Sequence, residues 1–159
     1  MATITLRVYG ILFNEAGQLL VTDELIRGER FTKFPGGGLE WGEGTRECLV
    51  REFKEEMNLL VEVKEHLYTT DFFQESAFKK GDQIISIYYR VQALEPLQVR
   101  ISTEPFQFDA GQLALYDATR QTESFRFIDW HTLTENDLTL PIDRIVVGLM
   151  KRGDIVVAA

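Results

Sequence analysis

The chain has 159 residues, 45% hydrophobic and 26% charged, which is enough to bury one core, so a single domain over 1–159 is expected. One cysteine excludes an internal disulfide, and two well-separated histidines, His66 and His131, exclude a zinc-type ligand cluster, so any metal must be held by oxygen. A net charge of −8 argues against a nucleic-acid duplex as partner, yet divalent cations could still bridge carboxylates to a small phosphorylated ligand.

No window approaches the roughly 18 uninterrupted apolar residues of a membrane span. The opening "MATITLRVYGILF" alternates rather than placing a basic cap before an apolar run, which predicts a strand and a cytoplasmic protein with no membrane partner. Residues 3–13 and 18–23 read as strands joined at "NEAGQ", where Gly17 can take positive φ, and together they suggest a hairpin. A short third strand, 30–34, ends at Pro35, which removes a backbone donor and keeps Phe34 extended.

Residues 45–57 make the best helix, free of Gly and Pro, with Thr45 expected as its N-cap. Two long β-like runs follow, 59–74 and 83–94, separated by the polar "ESAFKKGD". Residues 95–122 are irregular, and loops with one short strand are expected there. "SFRFIDW" is strand-like, and "PIDRIVVGLMKR" suits a closing helix with Pro141 in its first turn. One internal and one C-terminal helix against a mixed sheet predict an α+β chain or an α/β/α sandwich.

On the 45–57 helix, Glu55 and Glu56 fall roughly 60° and 40° to either side of Glu52, so three carboxylates share one face. Leu49, Val50, Phe53 and Met57 form the adjacent apolar stripe that should hold this face against the core. Glu52 and Glu56 repel at i,i+4, and a bound cation would relieve that. Acidic helix faces are usually only solvated, and Arg51 could pair with Glu47 or Glu55 without any metal. The loop Gly36, Gly37 and Gly38 shifts the balance, because it lets backbone groups approach a ligand closely just before the acidic helix.

The stretch from Gly37 to Leu59 resembles the Nudix box of the Nudix hydrolases: Gly37, Glu43, Arg51, Glu52, Phe53, Glu55, Glu56 and Leu59 all fall at its spacing. Asn58 stands where the family has Gly, and Asn is the next-best residue for a left-handed helix end. The resemblance implies a Nudix-type α/β/α sandwich with a mixed sheet, and hydrolysis of the diphosphate bond in a nucleoside diphosphate linked to another moiety. It implies Mg²⁺ or Mn²⁺ held by Glu52, Glu55, Glu56 and the Gly37 carbonyl, with Gly36, Gly38, Glu43 and Arg51 shaping the loop and helix. Glu52, Glu55 or Glu123 would do the proton chemistry; Glu123 resembles the acid that many members place ahead of their last strand, and Glu104 and Asp109 lie in the irregular region.

Phe72 and Tyr88 are candidates to stack a base, although alternating strands send about half of such rings to the core. Subfamily markers beyond the box, Pro or Tyr, are absent, since Gln74, Glu75 and Ser76 occupy that distance. Cys48 has no partner histidine in view and reads as a small packing residue. A homodimer is expected from the family's habit, and a non-catalytic Nudix-like module that binds a nucleotide or metabolite is the alternative to an enzyme.

Overall fold

The computed structural model describes residues 1–157. Seven strands and three helices follow in the order β1 Ile4–Ile11, β2 Gln18–Ile26, β3 Glu29–Lys33, β4 Gly36–Gly38, α1 Thr45–Met57, β5 Val61–Thr69, β6 Gln83–Ala93, α2 Ala110–Thr119, β7 Gln121–Asp129 and α3 Pro141–Lys151. The strands form a mixed four-stranded sheet, β4-β1-β6-β5, and an antiparallel three-stranded sheet, β3-β2-β7. Among the described residues, no helix is long and apolar enough to cross a membrane.

Alternation along the strands feeds two cores. Val8, Leu12 and Leu20 join Tyr89 and Val91 beneath α1, against Leu49, Phe53 and Met57. Their neighbours Tyr9, Ile11, Leu19 and Val21 join Tyr88 on the opposite side, against Val146, Val147 and Met150 of α3. Side chains that switch faces at every residue therefore bury a helix on each face, which yields the expected α/β/α layering.

Several local expectations change. β1 and β2 do not form a hairpin ladder: they meet only at the turn, through a Phe13–Leu19 bridge, and then diverge into different sheets. The turn itself is as expected, with Gly17 at φ 75° and the Asn14 carboxamide oxygen accepting from Ala16 and Gln18 N–H. The ladder hairpin is instead β2-β3, closed by Arg27 and Gly28 at positive φ.

Residues 110–119 are a helix rather than a loop. α2 buries none of its residues, so it shows no helical period, but Asp109 and Gln112 cap it reciprocally, each side chain accepting the other's backbone N–H at 2.8 Å. The short strand expected in that region reduces to one bridge, Ile101–Phe125. Asp109 is thus a capping residue, and Glu104 is exposed in the preceding loop. His131 lies in the turn after β7.

Candidate active site

β4 and α1 build the site. Gly36 must be glycine: its φ is 151°, and a Cβ there would lie 2.0 Å from the Val8 carbonyl oxygen across the β1-β4 ladder. At Gly37 a Cβ would lie 2.4 Å from Glu52 Cδ, so the Glu52 carboxylate rests directly on the strand backbone.

α1 spans the expected residues 45–57, but its N-cap is not Thr45. Gly44 is the N-cap and Glu47 accepts its N–H at 3.0 Å, while the Thr45 hydroxyl pairs with the Tyr89 hydroxyl at 2.7 Å. Cys48, Leu49, Phe53 and Met57 form the buried stripe; Val50 is 36% exposed and does not belong to it. At the other end Asn58 adopts φ 49° and ψ 38°, the left-handed cap that the missing glycine would have supplied, and its N–H reaches the Lys54 carbonyl at 3.0 Å.

Arg51 is the hub of the loop–helix junction. Its Nε and Nη2 donate to the two Glu43 oxygens at 2.9 and 2.6 Å, and Nη2 also reaches the Gly38 carbonyl at 3.1 Å. Nη1 donates to Glu52 at 3.0 Å and Glu55 at 3.2 Å. The Arg51 hydrogen bonds hold the Glu43 carboxyl well below the ordinary glutamate range. Cys48 lies beneath this junction with Sγ 3.6 Å from the Gly38 carbonyl oxygen; burial pushes its thiol up to about 12, which leaves it without nucleophilic character.

The inner part of the site is strongly acidic. Glu56 of α1 feels the charge of Glu123 of β7, and Glu24 of β2 is the direct register partner of Glu123. Burial and then Glu123 push the Glu56 carboxyl above the ordinary range; burial, with Glu24 and Glu52 nearby, does the same to Glu123. Glu56 Oε2 is buried without a hydrogen-bond partner. Against these acids stands one fully buried cation, Lys33, with its ammonium 3.5 Å from Glu24 Oε2.

Glu52 thus lies on the Gly37 backbone, with Glu56 and Glu123 within electrostatic range of it and of each other. Glu55 lies at the rim, its side chain 59% exposed and paired with Arg51. Among the described residues no three acids already converge as a ligand group. The donor set nonetheless suits a hard divalent ion: it is all oxygen, and it includes a desolvated carboxylate oxygen with nothing to satisfy it.

Of the aromatic candidates, Phe72 is exposed in the loop after β5. Tyr88 is not available to stack a base: it is fully buried among Tyr9, Phe34 and Tyr68, and its hydroxyl donates to Asp143. Sequence reasoning missed Glu24 and Lys33. The available signal was a lysine two residues before Pro35, in a strand that should be buried.

The chain is similar in fold to the ORF135 protein of E. coli, with TM-score 0.66 and 18% identity over 95% of this chain and 91% of that one. The MutT protein of Methanosarcina mazei gives 0.64 and 16% over 96% of each chain. An ADP-ribose pyrophosphatase of Streptococcus suis gives 0.56 and 16% over 94% and 91%. No curated protein matches. The family model described as NUDIX domain matches residues 3–144, spanning both sheets, α1 and the acidic cluster, and the chain accordingly belongs to the Nudix family.

Proposed function

We propose that this protein is a Mg²⁺- or Mn²⁺-dependent pyrophosphohydrolase that cleaves the diphosphate bond of a nucleoside diphosphate joined to another moiety. The reading rests above all on Glu56, a half-buried carboxylate with one orphaned oxygen, set among Glu52, Glu123 and Glu24 and beside a glycine strand. Such an arrangement is costly unless a cation enters it.

Glu52, Glu55, Glu56 and the Gly37 carbonyl would hold the ion, with Glu55 turning inward from Arg51. When bound, the ion neutralises diphosphate oxygens and acidifies water. Arg51, fixed by Glu43, keeps the Gly38 carbonyl and the Glu52 carboxylate in place. Glu123 suits the role of base: burial raises its proton affinity toward neutrality, where a carboxylate accepts a proton from attacking water most effectively. Gly36 lets β4 pair closely with β1, and Gly37 lets the Glu52 carboxylate lie against the strand where the ion would bind. Phe72, exposed in the loop after β5, would cover the organic part of the substrate.

The likeness in fold to an ADP-ribose pyrophosphatase is compatible with this substrate class. The absence of the Pro marker at Gln74–Ser76 leaves ADP-ribose as one member of a panel. That panel comprises ADP-ribose, NADH, NDP-sugars, dinucleoside polyphosphates and (d)NTPs, assayed by product release with Mg²⁺ and again with chelator. Metal-dependent cleavage of at least one compound is expected. Tight binding of a nucleotide with no cleavage would point instead to a non-catalytic binding module.

A further inference from the structure

Lys33 is among the largest fully buried side chains of the protein, and it is charged. Its ammonium has one salt bridge, to Glu24 at 3.5 Å, and lies 5.7 Å from the centroid of the Tyr9 ring. Burial works against this charge, but Glu24 and Glu56 outweigh it and hold the amine above the ordinary lysine value. A lone ammonium without carboxylate neighbours would not tolerate such a position. The inner acids are thus partly neutralised from within, by a group at the end of β3 that cannot leave the fold.

That placement conflicts with a site built to fill entirely with metal. An ammonium repels a divalent ion, and in a poorly solvated site water and salt screen that repulsion little. The acids therefore divide. Lys33 is paired with Glu24, and its charge also reaches Glu56 and Glu123, whereas Glu52 and Glu55 are paired with Arg51.

Building on the hydrolase reading, we propose that Lys33 is a resident cation that occupies the inner, Glu24–Glu123 half of the acidic cluster in place of a divalent ion, confining metal to the outer half at Glu52, Glu55 and Glu56. Lys33 is then a positioning residue that sets how many ions the site accepts. It acts through the carboxylates rather than on the substrate.

The test is a Mn²⁺ titration of the full chain, followed by calorimetry and by the electron paramagnetic resonance of free Mn²⁺. Wild type is compared with Lys33→Met, Lys33→Gln and Lys33→Arg. Lys33→Met removes the charge at similar length, Lys33→Gln can still donate to Glu24, and Lys33→Arg keeps the charge.

The neutral variants should bind one more ion per chain than wild type, or the same number at least about tenfold more tightly, while Lys33→Arg behaves as wild type. Unchanged number and affinity in a folded neutral variant would overturn the inference and leave the hydrolase reading standing. Absence of Mn²⁺ binding in wild type and neutral variants alike would overturn the metal reading, and this inference with it. If neither neutral variant folds without metal, recovery of the fold on adding Mn²⁺ supports the inference, and failure to recover contradicts it.

Discussion

The Glu52 carboxylate occupies the space that a side chain on Gly37 would need, with Glu52 Cδ 2.4 Å from the position of that Cβ. The absence of a side chain on β4 and the presence of a carboxylate on α1 are one feature. Gly37→Ala should therefore displace Glu52 and lower kcat/KM by about 100-fold, as expected when a positioned catalytic group is misplaced. Circular dichroism should show an unchanged fold, and normal activity would mean that Glu52 need not lie against the strand.

Arg51 and Glu43 form a two-point charge-assisted pair that a lysine cannot reproduce. Arg51→Lys should lower activity by about 10- to 100-fold, the usual cost of losing a group that orients metal ligands. Steady-state kinetics at saturating metal, alongside a thermal melt, separates this from a folding defect.

Glu56 and Glu123 make stability depend on pH in a direction opposite to that of most carboxylates. Both are raised above their unfolded values. Below the ordinary glutamate range both are protonated in either state and carry no penalty. As pH rises the unfolded chain ionises first, so stability falls until the folded-state values are passed. In chelator, the wild-type melting temperature should drop between about pH 5 and pH 8. Glu56→Gln should flatten that drop, by a difference of about 1.4 kcal/mol for each pH unit in which Glu56 is protonated only in the folded state. Asp143, pushed up to about 6 by burial, is present in both proteins and cancels in the comparison. Parallel curves would show that Glu56 is not held in a penalised state.

Asn58 carries the helix end in a conformation that costs other side chains more. Asn58→Ala should destabilise by about 1 kcal/mol, and Asn58→Gly should be close to neutral. Denaturant unfolding at equilibrium reads both. Phe53, by contrast, is a packing anchor whose ring lies so close to Gly10 that a Cβ there would meet it at 2.8 Å. Phe53→Ala should cost about 3–5 kcal/mol.

The layers and α1 were legible because they rest on local periodicity: strands alternate between two cores, and the helix has an apolar stripe beside an acidic face. Asn58 was legible through cap chemistry alone. What stayed hidden depends on pairing between distant segments. β1 pairs with β6 rather than with its chain neighbour β2, so adjacency in sequence misled. Glu24 meets Glu123 only through the β2-β7 register, and Lys33 meets Glu24 only because β3 pairs back on β2. α2 escaped because a helix that buries nothing leaves no period, although its Asp109–Gln112 cap was present in the sequence.

The most direct test of the account compares hydrolysis of the best diphosphate compound by wild type and Glu56→Gln, followed by ³¹P NMR with Mg²⁺ and with chelator. Wild type should turn over only with Mg²⁺, and the variant should lose about 100-fold or more of kcat, the scale set by removing one group that stabilises developing charge. Turnover in chelator, or a Glu56→Gln rate equal to wild type with Mg²⁺, would contradict the assignment of this acidic cluster as the catalytic metal site.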